Sequence, residues 1–240
     1  PVRGRSCGSQ ALRFIAEQFR TFDAFARASL PVSYGSDALD TALELTTNAL
    51  RHLVLEDRDG SFVPHPLPRI AQVAPGFGVG IADFDGDGHL DIAMAQNFFS
   101  PEPETGRLAG GLGLVLAGTG DLRFTPLPAH RSGVVMPEDA MALAITDLDG
   151  DSRPDFDCTL NHGPVRAWNA TPEPDGALAV RLAGPPGNPQ AIGARIELVR
   201  GEATRQTRHI GAGAGYLSQS APTAFFSGVR DSDALVVRWP

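Results

Sequence analysis

The sequence predicts a mainly β protein: a partial β-propeller of about two blades, preceded by short helices and followed by a small β-sandwich-like domain. Three observations carry this. A strand–loop–strand pattern occurs twice along the chain. Within each copy, apolar residues alternate with a period of two, as on a half-buried strand. Turn formers are dense, with 27 Gly and 20 Pro in 240 residues, which leaves little room for long helices and favours many short strands. The expected division is a helical segment over 1–45, blades over 46–171 and a β domain over 172–240.

The first segment lacks the strand pattern. Ser9 and Thr21 read as N-caps of two short helices, over 10–19 and 22–29. Phe14, Phe19, Phe22 and Phe25 would form an apolar stripe on them that packs against the sheet. Residues 43–50 read as an outer strand of the first blade.

The repeat sets the architecture. Leu53-Val54-Leu55, Phe62, Asp83-Phe84-Asp85-Gly86-Asp87 and Asn97 are matched by Leu114-Val115-Leu116, Phe124, Asp147-Leu148-Asp149-Gly150-Asp151 and Asn161. The first Asp of each loop stands at the same distance from its Asn in both copies. Val79 and Ile81 before the first loop, and Leu90, Ile92 and Met94 after it, alternate with small or polar residues, as do Leu112, Leu114 and Leu116. Gly118 to Asp121 and Glu56 to Gly60 read as the equivalent hairpin turns. Each copy is thus expected to be an antiparallel sheet of about four short strands, with its Asp loop between two of them; repeats of this kind indicate propeller blades.

After Trp168 the repeat stops. Pro172-Glu173-Pro174-Asp175-Gly176 is a turn-rich linker. Strand-like runs follow over 177–182, 192–199, 206–210, 224–227 and 235–239, the pattern of a small sandwich. Gly211-Ala212-Gly213-Ala214-Gly215 follows no βαβ unit and reads as a close-packed turn.

Composition narrows the function classes. Hydrophobic residues are 42% and charged residues 20%, ordinary for a globular chain. No apolar run approaches the ~20 residues that span a bilayer. No basic-then-apolar leader opens the sequence, which begins at Pro1 and reads as a processed or truncated piece. The formal charge is −8 and every basic residue in the Lys+Arg count is Arg, scattered without a dense patch. Nucleic-acid binding therefore has poor electrostatic support. Cys7 and Cys158 lack metal-type spacing; pairing and two separate thiols are both open. No nucleophile-elbow, phosphate-loop or zinc-protease motif occurs, and His65 and His209 read as structural.

The two acidic loops carry the chemistry. Their pattern, Asp-x-Asp-x-Asp-x-x-x-Asp, places Asp83, Asp85, Asp87 and Asp91 in one and Asp147, Asp149, Asp151 and Asp155 in the other. Calcium takes six to eight oxygens in flexible geometry. Carboxylates at alternate positions of a tight loop can wrap one ion, with His89 or Arg153 at the seventh position adding a backbone carbonyl. Gly86 and Gly150 permit the turn. At the sixth position Gly88 is replaced by Ser152, so a positive φ there would weaken the second site. An EF-hand needs a glutamate at position twelve between helices, but Met94 and Cys158 stand there between strands. Zinc would want His and Cys, and magnesium seldom uses such a cage. A solvated acidic turn is the bland alternative, weakened by the recurrence of the loop at matching places. Two calcium ions would bring the formal charge from −8 to −4.

Gly80-Ile81-Ala82-Asp83-Phe84-Asp85-Gly86-Asp87-Gly88-His89-Leu90-Asp91, and the equivalent stretch from Ala144 to Asp155, resemble the FG-GAP (VCBS) repeat of integrin-α-like propellers. Asn188-Pro189-Gln190-Ala191-Ile192-Gly193-Ala194-Arg195, Gly213-Ala214-Gly215-Tyr216-Leu217-Ser218-Gln219, Phe226, Gly228 and Val236-Val237-Arg238-Trp239-Pro240 resemble the ASPIC/UnbV domain, which often follows such repeats in secreted proteins related to cartilage acidic protein. The resemblance implies an extracellular or periplasmic, calcium-stabilised, non-enzymatic propeller. A closed propeller needs at least four blades and about two are visible, so the missing blades are expected upstream, or the chain is an open arc. The expected function is a secreted calcium-binding adhesion or recognition module with an extracellular protein or glycan partner. The alternative is an accessory, substrate-binding part of a polysaccharide-acting extracellular enzyme.

Overall fold

The computed structural model describes residues 4–102, 105–170 and 176–240; the linker residues Pro172 to Asp175 lie outside them. The chain divides into two compact units, residues 1–50 with 100–107, and residues 51–99 with 108–240.

The first unit holds five short helices: α1 (Arg5–Ala11), α2 (Phe14–Gln18), α3 (Phe22–Arg27), α4 (Leu30–Tyr34) and α5 (Ser36–Asp40). Thr21 caps α3 as expected, its hydroxyl accepting from Ala24 N at 3.2 Å. Ser9 does not cap a helix. It lies inside α1 and donates back to Arg5 O at 2.7 Å, so the first helix begins earlier than expected and breaks where a single longer one was predicted. Only part of the aromatic stripe is buried. Phe19 and Phe25 meet edge-to-face at 5.4 Å beside Ile15 in a small core, whereas Phe14 and Phe22 are exposed. Residues 43–50 form no strand, and Leu43, Leu45 and Leu50 stand in water.

The second unit is mainly β, built from small antiparallel sheets. It opens with a hairpin, β1 (Leu53–Arg58) and β2 (Ser61–Pro66). The hairpin turns on Asp59 and Gly60, both at positive φ as a tight two-residue turn requires. His65 is structural, its ring meeting Glu56 across the hairpin at 2.8 Å. Then come β3 (Gly76–Ala82), β4 (Asp91–Gln96), β5 (Leu114–Gly118) and β6 (Phe124–Leu127), a four-stranded meander in that order. A short helix, α6 (Ala129–Ser132), leads to β7 (Ala140–Thr146), β8 (Asp155–Leu160) and β9 (Arg166–Trp168), a three-stranded sheet.

The repeat is visible in the register itself. Ala82 pairs with Asp91 and Ile81 with Ile92, as Thr146 pairs with Asp155 and Ile145 with Phe156. Both hairpins shift register at the equivalent point, Gly76/Val79 and Ala140/Leu143. The sheets, however, do not coincide with the copies. Because β4 pairs with β5, the leading hairpin of the second copy completes the sheet of the first, and β1–β2 is a separate two-stranded sheet.

The buried face of β3 is the reverse of the expected one. Gly78, Gly80 and Ala82 point inward while Val79 and Ile81 are 41% and 57% exposed. Close approach of β7 explains this: a Cβ on Gly78 would lie 2.6 Å from Met141 O, and one on Gly80 would lie 2.4 Å from the Leu143 side chain. Strand β4 is buried along its whole length because both its faces are covered. Ile92 and Met94 pack with Leu67, Leu114 and Leu116. Ala93 and Ala95 face the main core of Leu143, Ile145, Phe156 and Cys158. Cys158 is sealed there, and burial pushes its thiol up to about 11. No disulfide joins Cys7 and Cys158.

The expected tail strands are all present: β10 (Leu178–Arg181), β11 (Arg195–Arg200), β12 (Ala203–His209), β13 (Thr223–Phe226) and β14 (Asp233–Arg238). They form two sheets, β10–β13 and β12–β11–β14, around a core that includes Ile196, Leu198, Ile210 and Phe226. Alternation along β13 sends Phe226 into this core and Phe225 into the core of the repeats. The segment that follows the glycine-rich turn also reaches the repeats. Ser218 Oγ donates to Leu143 O at 2.7 Å, and Ile145 N donates to Ser220 Oγ at 3.0 Å, so the loop runs along the edge of β7. Among the described residues no helix is long and apolar enough to cross a membrane.

Gly80→Val should overpack the β3–β7 contact and cost about 2 kcal/mol, read as a lower midpoint in denaturant. Ile81→Thr, on the outward face, should change stability by less than ~0.5 kcal/mol.

Candidate metal centre

Each acidic loop closes a hairpin, β3–β4 or β7–β8, and the same set of hydrogen bonds folds both. Asp83 Oδ1 accepts from Gly86 N and its Oδ2 from Gly88 N, both at 2.8 Å. Asp147 repeats this with Gly150 N at 2.7 Å and Ser152 N at 3.1 Å. Asp85 accepts from Asp87 N, and Asp149 from Asp151 N. Asp87 accepts from His89 N, and Asp151 from Arg153 N. Sequence dictates this local fold: a short carboxylate bonds to the backbone two or three residues ahead, and Gly86 and Gly150 adopt the positive φ of 79° and 83° that the turn demands. The sixth position also needs positive φ, 94° at Gly88 and 70° at Ser152. A residue with a Cβ there is held at a cost of about 1 kcal/mol, so the second loop is the strained one.

The last aspartate of each loop is fully buried. Asp91 accepts from Phe84 N and from Gly118 N, both at 2.8 Å. Asp155 accepts from Leu148 N and Ala170 N, both at 2.7 Å. Each carboxylate therefore ties the start of its loop to the chain at or beyond the third strand of the sheet.

The loops bring the expected ligands together in part. One carboxylate oxygen from each of Asp83, Asp85 and Asp91 lies within 4.8 Å of the others, and likewise for Asp147, Asp149 and Asp151. Oxygens 2.3–2.6 Å from a common calcium ion sit no farther apart than about this distance, so both triads fit one such ion. Asp87 and Asp155 stand outside these triads. Asp87 holds the loop backbone, and both oxygens of Asp155, like those of Asp91, accept backbone N–H groups. His89 and Arg153 occupy the seventh position; Arg153 also approaches Asp151 at 3.7 Å. Magnesium's shorter, octahedral shell fits such a loop less well.

Electrostatics mark the first loop. Burial raises the Asp85 carboxyl above its usual range, and the charges of Asp87 and Asp83 add to this. Burial pushes Asp91 up to about 6; the Gly118 and Phe84 N–H bonds oppose the rise and the charges of Asp85 and Asp83 reinforce it. Carboxylates so placed repel one another unless a cation or protons sit among them.

Four groups around the loops were not legible in sequence. Ser227, from the tail, donates its hydroxyl to Asp83 Oδ2. Asn169 donates to Asp149 Oδ2 at 3.0 Å. The N–H groups of Gly118 and Ala170 serve Asp91 and Asp155. Of these, Gly118 belongs to a segment the sequence marks as a turn and Ser227 to one it marks as a strand, and neither reading points to the loops.

A pH dependence follows from Asp91. Its folded pKa of about 6 lies above the ordinary 3.8, so the folded chain binds this proton more tightly than the unfolded chain. The contribution is present below pH ~4 and is lost as pH rises to ~6, by about 3 kcal/mol. Urea melts of the metal-free chain should show this falling slope, and Asp91→Asn should flatten it.

Residues 184–240 match the family model described as ASPIC and UnbV. Comparison with curated proteins returns no match for the chain. Residues 184–240 are thus an ASPIC/UnbV domain, and Ser227, which directly follows its β13, reaches the first acidic loop.

Proposed function

We propose that this chain is a calcium-binding, non-enzymatic adhesion or recognition module of an extracellular or periplasmic protein, in which two FG-GAP-type loops bind one ion each. The carrying observation is the convergence of three carboxylate oxygens in each of two loops at equivalent positions of a structural repeat. In this reading Asp83, Asp85, Asp91, Asp147, Asp149 and Asp151 supply carboxylates, with Asp87, Asp155 and the carbonyls of His89 and Arg153 completing or supporting the shells. Calcium neutralises the clustered charge and stiffens the loops that join neighbouring strands.

The blade assignment is supported by the meander β3–β6 with its acidic loop between the first two strands, and by the recurrence of that loop between β7 and β8. The β1–β2 hairpin stands where β5–β6 stands in the next copy. The reading gives it to the outer edge of a preceding blade.

One observation favours the second reading, a substrate-binding part of a polysaccharide-acting enzyme. A cavity of about 240 Å³ beside the first loop is lined by Phe84, Asp85, Arg131, Phe156, Trp168 and Asn169, among others. Aromatic walls with a few polar groups are the usual make-up of a small-ligand site. Glycan-array binding without product release keeps the first reading; release of oligosaccharide from polysaccharide selects the second.

Thermal melts test the metal assignment. Calcium at a hundredfold excess over its Kd should stabilise the chain by ~2.7 kcal/mol per site. Asp85→Ala/Asp149→Ala should abolish that gain. An unchanged midpoint for the wild-type chain would refute it.

A further inference from the structure

We propose that the ASPIC/UnbV tail is a working part of the first metal centre, through Ser227, and has no such role at the second; the inference rests on the calcium reading above. Ser227 follows β13 and its hydroxyl donates to Asp83 Oδ2, a contact spanning 144 residues of sequence. That oxygen also accepts from Gly88 N, so both its lone pairs are taken. Asp83 Oδ1 accepts only Gly86 N, and its remaining lone pair is the one left to face an ion. Ser227 thus fixes which oxygen of Asp83 is offered and holds the carboxylate against rotation.

The second loop has no counterpart to this contact among the described residues. Asp147 Oδ1 takes Gly150 N and Oδ2 takes Ser152 N, which leaves one lone pair on each oxygen and the choice open. The tail approaches the first loop at a second point as well. A Cβ on Gly88 would lie 3.5 Å from Gln206 Nε2, and Gln206 in turn donates to Ser227 O at 2.7 Å. The charge of Arg208 acts on Asp83 from nearby, but its N–H groups are bonded elsewhere. Arg208 donates to Phe225 O and Gln206 Oε1, so the group the tail presents to Asp83 is a neutral donor that orients a ligand without competing for its place. Partners of this kind around a metal ligand affect affinity by about 10–100-fold when removed. By linkage, an ion at the first loop strengthens the seating of the tail to the same degree.

The test isolates each site in the full chain. Asp149→Ala leaves the first loop to be titrated by calorimetry with calcium, and Asp85→Ala leaves the second. Adding Ser227→Ala should weaken calcium binding about tenfold or more in the first background and leave the second unchanged. Ser227→Thr, which keeps the hydroxyl, should restore it. Retained binding at the second loop shows that the Ser227→Ala chain is folded. Equal affinity at the first loop with and without the hydroxyl, or an equal fall at both loops, would overturn the proposal. Absence of calcium binding in the wild-type chain would instead overturn the calcium reading beneath it.

Discussion

The fold of the second unit turns on two buried carboxylates. Asp91 and Asp155 open β4 and β8, and each gives both oxygens to backbone N–H groups, one at the start of the acidic loop and one at or beyond the third strand. A buried charge is tolerated only when it is well hydrogen-bonded or neutralised. These contacts bind loop and sheet into one object. Within each loop three carboxylates converge on a common point: Asp83, Asp85 and Asp91 in the first, and Asp147, Asp149 and Asp151 in the second. In the first loop burial, with the neighbouring aspartate charges added to it, lifts Asp91 and Asp85, an arrangement that a cation or protons relieve.

Around this constraint the packing is economical. Glycines on β3 let the two sheets of the repeats approach until backbone meets backbone, and alanines of β3 and β4 fill what remains. The tail joins the same structure through Phe225 in the main core, Ser218 and Ser220 along the edge of β7, and Ser227 on Asp83. Repeats and ASPIC/UnbV tail therefore share a core and a polar junction.

Much of this was written in the sequence. The loops were legible because short-range carboxylate spacing and glycine placement determine a turn locally, and the tail strands because apolar runs bounded by turn formers mark strands. What escaped was decided by tertiary contact. Hydrophobicity points to Val79 and Ile81 as the inward face of β3, whereas Gly78 and Gly80 are buried by β7 packed directly on them. The repeat implies one sheet per copy, whereas the pairing of β4 with β5 crosses the repeat boundary. Ser9 resembled a cap, but α1 had already begun at Arg5. Residues 43–50 carry leucines with strand-like spacing and no neighbouring strand to pair with. Ser227 carries no local signal at all, since its partner is 144 residues away.

Calcium occupancy is the claim on which the rest stands, and native mass spectrometry of the intact chain counts ions directly. After stripping and reloading with calcium, the account predicts a species with two bound ions per chain. On dilution of the metal the second loop, strained at Ser152, should empty first. A folded chain that retains no calcium, or retains magnesium equally well, would contradict it.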